Sequence, residues 1–141
     1  MSGAFDLGDY PIAEKRPDTV RARSGKALAD ITLAAVVAGE VDMADLAIHP
    51  DTLLRQAEIA RAAGRPTLAQ NFERAADLVG VPQELVMQAY EILRPGRARS
   101  KGEILEVAAT LRATYGATRI ADFMVEAAEV YEARGLFRFR Y

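Results

Sequence analysis

Cysteine and tryptophan are absent from this chain of 141 residues, and histidine occurs once, at His49. Without cysteine there is no disulfide framework, no thiolate zinc site and no cysteine nucleophile. A single imidazole likewise excludes any scheme that needs two. No window approaches the roughly 18 apolar residues of a membrane span. Residues 1–20 contain Asp6, Asp9, Glu14 and Asp18 and no apolar run, so neither a signal nor a transit peptide is expected. An excess of one charge is missing too. The 18 Lys+Arg against 20 Asp+Glu leave a net of −2, which gives no long-range pull toward nucleic acid or a membrane. A cytoplasmic protein is the expectation.

What is present suits a folded helical chain. Leu, Ile, Val and Phe number 35, above the level expected of a disordered chain, and the length allows one compact domain or an element of a larger assembly. Composition shifts near residue 28. Before it stand Pro11, Pro17 and the mixed-charge run Glu14-Lys15-Arg16-Pro17-Asp18, with no sustained period. The reading is an irregular N-terminal arm over 1–28 and a helical domain over 29–141. Thr32 caps a short helix through Ala38, Gly39 stops it, and Asp42 caps a further turn through Leu46. A helix from Asp51 or Thr52 to Ala63 ends at Gly64. The next begins near Pro66 with the stripe Leu68, Phe72, Ala75 and Val79, and the short link predicts a helical hairpin. Pro82 opens a helix with Leu85, Val86, Ala89, Tyr90 and Leu93 inward. Ser100 with Glu103 fits a capping box, ahead of a helix burying Ile104, Ala108, Leu111 and Tyr115. The last helix carries Ile120, Phe123, Met124, Ala127 and Tyr131 and stops near Gly135. The fold class is therefore all-α, an open bundle of about five helices. With 27 alanines the stripes bury little area each, so the chain should be marginal alone and stabilised by a partner.

Candidate chemistry is sparse. His49 precedes a helix and reads as a turn or capping histidine. Asp122, Glu126 and Glu129 share one face of the last helix, where they can bind a cation or simply form a solvated surface beside Arg119. The loop Arg94-Pro95-Gly96-Arg97-Ala98-Arg99-Ser100-Lys101 is the densest cationic segment. Before a helix start it can hold a phosphate, or its arginines can cap helix ends and pair with a partner's carboxylates. The ending Gly135-Leu136-Phe137-Arg138-Phe139-Arg140-Tyr141 alternates aromatics with arginine, the composition of an interface anchor or of a tail folded back on its own helices. No catalytic set assembles, and no cofactor-binding or metal residue is assigned.

Read in order, the sequence resembles the small (gamma) subunit of coenzyme B12-dependent diol or glycerol dehydratase. The resemblance rests on Asp9-Tyr10-Pro11-Ile12-Ala13-Glu14-Lys15-Arg16-Pro17, on Ser24-Gly25-Lys26 before Asp30-Ile31-Thr32-Leu33, and on Gly39-Glu40-Val41. It continues through Gln56-Ala57-Glu58-Ile59-Ala60, Gly64-Arg65-Pro66, Asn71-Phe72-Glu73-Arg74-Ala75-Ala76 and Leu93-Arg94-Pro95, and closes on Ala127-Ala128-Glu129-Val130-Tyr131-Glu132. It implies a complex with large (alpha) and medium (beta) subunits, a dimer of heterotrimers, in which those two subunits hold adenosylcobalamin. The implied reaction turns a 1,2-diol or glycerol into an aldehyde and water. Catalytic residues and the substrate-site metal would lie on the large subunit, so none is carried onto this chain. A reactivating factor is a further implied partner. Some diol dehydratase small subunits carry a long amino-terminal extension linked to microcompartment association. Nine residues precede Tyr10 here, which looks more like the short glycerol dehydratase type.

The expected role is structural, with Tyr10, Pro11, Arg94, Pro95, Arg97, Leu136, Phe137 and Phe139 as candidate contacts to the large subunit. Two other readings stand beside it. One is a stand-alone helical adaptor docking a phosphate or polyanion through residues 94–101. The other is a small hydrolase using Asp122, Glu126 and Glu129.

Overall fold

A computed structural model describes residues 3–137; Phe139 and the other residues of the aromatic ending after Phe137 lie outside the described residues. The helices are α1 (Ile12–Lys15), α2 (Leu33–Val37), α3 (Pro50–Ala62), α4 (Pro66–Leu78), α5 (Gln83–Leu93), α6 (Lys101–Tyr115) and α7 (Thr118–Ala133). Tight 3-10 turns stand at Leu7–Asp9, Pro17–Thr19 and Leu28–Asp30. The fold is all-α: among the described residues the β structure is a lone bridge between Arg21 and Ala27. No described helix is long and apolar enough to cross a membrane. The chain forms two compact units, one through Val79 and one from Gly80.

In the first unit, α3 and α4 form the expected hairpin. Gly64 takes φ +70°, where a side chain is strained, and this lets its N–H reach the Arg61 carbonyl at 3.0 Å and the Arg65 N–H reach Ala60 at 2.9 Å. Pro66 then starts α4 where its missing N–H does no harm. The helices meet through small side chains: Ala57, Ala60 and Ala69 are buried together, with Phe72 packed on them. This corrects the predicted α4 stripe. Leu68 is exposed, and Ala69 and Ala76 face inward instead. The hairpin brings the alanine face of α3 against α4, and that neighbour selects the small residues of α4.

The amino-terminal arm is a chain of tight turns fastened to α3. Phe5, Ile12 and Ile59 form a buried cluster with Val20 packed on it, and the Phe5 N–H donates to Glu58 Oε2 at 2.8 Å. The guanidinium carbons of Arg16 and Arg55 lie 4.8 and 5.6 Å from the Phe5 ring centre, one cation on each contact of a buried aromatic.

In the second unit α5 and α7 both pack on α6. The core comes from Ile104, Val107, Ala108 and Leu111 on α6 and Ile120, Ala121, Met124 and Ala128 on α7. Tyr90, Tyr115 and Phe123, predicted inward, are exposed. The buried α7 stripe runs through Ala121 and Ala128, which lets the helix approach α6 closely and turns Phe123 outward. Ser100 does cap α6 by accepting from the Glu103 N–H. The other half of the predicted box is shifted, since Glu103 Oε2 accepts from Arg99 N–H at 2.9 Å, one residue further back.

Candidate subunit interface

The sequence-named contacts fall at two places. Tyr10 and Pro11 belong to the first unit, between the Leu7–Asp9 turn and α1, and Tyr10 is 66% exposed. Their position is held by a reciprocal box: Asp6 Oδ1 accepts from Gly8 N–H at 2.7 Å while Asp9 Oδ2 accepts from Asp6 N–H at 3.0 Å. Arg16 Nη1 then meets Asp9 Oδ1 at 3.1 Å. The Asp6 backbone bond, with Arg16 beside it, holds the Asp9 carboxyl below its ordinary pKa.

The remaining described candidates, Arg94, Pro95, Arg97, Leu136 and Phe137, gather at one end of the second unit. Gly135 takes φ +66° and closes α7, with Leu136 N–H donating to the Tyr131 carbonyl at 2.9 Å. Phe137 meets the Tyr131 ring edge-on with centroids 6.3 Å apart, and the Tyr131 hydroxyl donates to the Leu93 carbonyl at the end of α5. Leu136 and Phe137 are half-buried, so this start of the aromatic tail folds back on its own helices. Arg94 and Arg97 both pair with the Glu91 carboxylate, at 3.1 and 3.3 Å. Lys101 pairs with Glu132 at 2.7 Å, which raises its pKa, and Glu129 adds to the same effect. Three of the loop's basic groups thus already face carboxylates of their own chain.

Of the predicted acidic face of α7, Asp122 pairs with Arg112 and Glu129 acts on Lys101, whose ion-pair partner is Glu132, an acid outside that set. His49 is the N-cap of α3, its Nδ1 accepting from Asp51 N–H at 3.1 Å. Among the described residues no group of three or more Asp, Glu or His could hold a metal ion.

Two features of the first unit were not anticipated. One is a buried acid. Asp45 is 4% exposed, and its Oδ2 accepts from Lys26 Nζ at 2.6 Å and from Asp42 N–H at 2.9 Å. Asp42 Oδ1 accepts in return from Asp45 N–H at 3.2 Å, so Asp42-x-x-Asp45 repeats the box of Asp6-x-x-Asp9, again with a cation on its second acid. That spacing was the available signal. Lys26 also donates to the Glu40 carbonyl at 2.6 Å, clamping the 24–26 turn to the segment after α2. The Lys26 bond above all, then hydrogen bonds from Ser24 and Asp42, lower the Asp45 pKa from 3.8 to about 2. A depressed carboxyl pKa stabilises the fold above the unfolded value and is lost as pH falls through the folded one. Unfolding midpoints should therefore drop between about pH 4 and pH 2, and Asp45→Asn should flatten that part of the profile. An unchanged acid slope in the variant would assign the loss to other carboxyls.

The other feature is apolar exposure. Leu33, Val37 and Met43 are each 80% exposed, and Val36, Leu46 and Ile48 are 46–59% exposed. The sequence signal was a helix without a polar residue, Leu33-Ala34-Ala35-Val36-Val37, of which only Ala35 is buried. Beside it, Leu28, Ile31, Leu46, Ile48 and Leu53 line an open groove of about 310 Å³.

Comparison with known proteins comes to one family. The profile described as dehydratase small subunit matches residues 5–138. The propanediol dehydratase small subunit of Citrobacter freundii is 44% identical over 126 residues, covering 89% of this chain and 73% of that protein. The protein of the same name from Salmonella typhimurium is 44% identical over 133 residues, covering 94% of this chain and 76% of its own length.

Proposed function

Because the chain belongs to the dehydratase small-subunit family, we propose that it is the non-catalytic small subunit of an adenosylcobalamin-dependent dehydratase that converts 1,2-propanediol, or glycerol, to an aldehyde and water. The observation that carries this reading is identity of 44% to two propanediol dehydratase small subunits across nearly the whole chain. In this reading the large and medium subunits hold the cofactor and the catalytic groups, in a dimer of heterotrimers. In this reading no residue of this chain is assigned to the cofactor. The chain's single imidazole, His49, is engaged as a helix cap, Nδ1 accepting from Asp51 N–H. No step of the reaction is routed through this chain. Its contribution is to cover and rigidify the large subunit around a site that must exclude water. Tyr10, Pro11, Arg94, Pro95, Arg97, Leu136, Phe137 and Phe139 are the first candidate contacts.

Pairing of Arg94 and Arg97 with Glu91 favours this reading over a polyanion-docking adaptor, because a phosphate would have to displace an intrachain carboxylate. The test is co-expression of the tagged chain with the large and medium subunits, followed by pull-down and an aldehyde assay with adenosylcobalamin. All three chains should co-purify, with activity on 1,2-propanediol and glycerol. Recovery of the folded chain alone, with full activity left in the unbound fraction, would overturn the proposal.

A further inference from the structure

Both ends of the amino-terminal arm return to one turn of α3. Arg55, Glu58 and Ile59 stand at i, i+3 and i+4, on a single face of that helix. The start of the arm reaches this face through Phe5, whose N–H donates to Glu58 Oε2 at 2.8 Å and whose ring is buried with Ile12 and Ile59. The far end reaches it through Thr19 and Val20: the Thr19 carbonyl accepts from Arg55 Nη1, and Val20 packs on the same apolar cluster. Between them the chain carries Leu7 and Tyr10 outward, both exposed. Residues 5–20 are thus a compact loop with a closed base and an exposed tip.

One side chain joins the two ends. The Arg55 guanidinium donates to Thr19 while its carbon lies 5.6 Å from the Phe5 ring centre, so it holds the far end by a hydrogen bond and the near end by the ring face. Among the described residues Arg55 forms no ion pair, and its charge serves the arm. Arg16, 4.8 Å from the same ring, passes the constraint outward, because it also pairs with Asp9 in the box beside Tyr10. Within the arm the backbone bonds are local: Glu14 and Lys15 N–H donate to Pro11, Arg16 N–H to Ile12, and Val20 N–H to Pro17. Bonds of that kind hold turns together without attaching them to α3. The attachment is concentrated at the base, and a segment held in that way opens as a unit.

We propose that residues 5–20 open and close on α3 as one cooperative strap, with Arg55 as the positioning residue that pins both of its ends. Tyr10 and Pro11, contact candidates in the subunit reading, are then presented or withdrawn with the whole arm.

Hydrogen exchange of the full chain, followed residue by residue by NMR at fixed pH, tests the strap. Arg55→Ala removes a bond from a charged donor together with the ring contact. It should speed exchange at the Arg16 and Val20 amides by about 10-fold or more, while the α4 amides keep their wild-type rates. Phe5→Ala, at the opposite end, should speed the same two amides. This variant leaves α3 untouched and carries the test if Arg55→Ala does not fold. Arg61→Ala removes another arginine of α3, one that pairs with Glu73 of α4, and should leave the arm at wild-type rates. Wild-type rates at Arg16 and Val20 in folded Arg55→Ala would overturn the pin. Phe5→Ala that frees the near end and leaves Val20 protected would overturn the cooperative unit. Equal acceleration of the arm by Arg61→Ala would assign the effect to general weakening of α3 and overturn the role of Arg55. The measurement needs no other subunit, so its failure leaves the subunit reading standing, and co-purification decides that reading separately.

Discussion

Leu111→Ala should lower the stability of the chain by about 2–5 kcal/mol, the range for removing a large aliphatic side chain from a site that does not fully collapse. Leu111, Ile104 and Met124 are the largest fully buried side chains among the described residues, and all three belong to α6 and α7. Their neighbours on those helices include Ala108, Ala121 and Ala128. Alanines have no rotamers with which to fill a void, so the cavity left at residue 111 should persist and the loss should sit in the upper half of the range. For a chain whose total stability is of order 5–15 kcal/mol, that is a large fraction. Urea unfolding followed by helical circular dichroism measures it. Tyr90→Ala, at an exposed site on α5, should stay within about 0.5 kcal/mol in the same experiment. A Leu111→Ala loss below about 1 kcal/mol would mean that the α6–α7 contact is looser than described.

Ala57→Leu should destabilise from the opposite cause. Ala57 and Ala69 are fully buried where α3 meets α4, with Ala60 and Phe72 against them. Three added carbons have no space between two helices that meet through methyl groups, and overpacking of this kind costs about 1–3 kcal/mol or more. The same substitution at Ala62, exposed near the end of α3, adds a good helix former without a clash and should be neutral. Equal effects at the two positions would show that the hairpin opens easily. The alanine content that predicts a thin core thus has a second consequence: it sets how closely the helices stand, and the contact becomes intolerant of larger residues.

Local signals were read well because their physics is local. The Thr32 and Ser100 caps, Pro66 in a first turn, and Gly64 and Gly135 at helix ends each follow from a few adjacent backbone groups. His49 as a cap belongs with them. The misplaced residues were all large apolar ones at the margins of stripes. Leu68, Tyr90 and Phe123 each adjoin a buried residue, Ala69, Ala89 and Met124, and periodicity leaves the rotation of a helix uncertain by about that much, whereas Tyr115 ends α6 one turn past its last buried side chain, Leu111. Which neighbour arrives decides the rotation, and here the neighbours were alanine faces. The Lys26–Asp45 bond was missed because nothing local ties residues 19 apart. The exposure of the 33–48 segment is not legible for a different reason: an apolar run forms the same capped helix whether or not its own chain covers it.

By itself the sequence determined the helical class, the positions of most helix ends, the absence of cysteine chemistry and a specific family resemblance, since each depends on composition or on neighbours in the chain. Only the tertiary structure decided which side of each helix is buried and that the arm is fastened through Phe5 to α3. It also decided that the basic loop faces Glu91 and Glu132, and that six large apolar side chains between Leu33 and Ile48 remain outside. Burial and pairing are properties of what stands opposite a residue, and no residue carries that information alone.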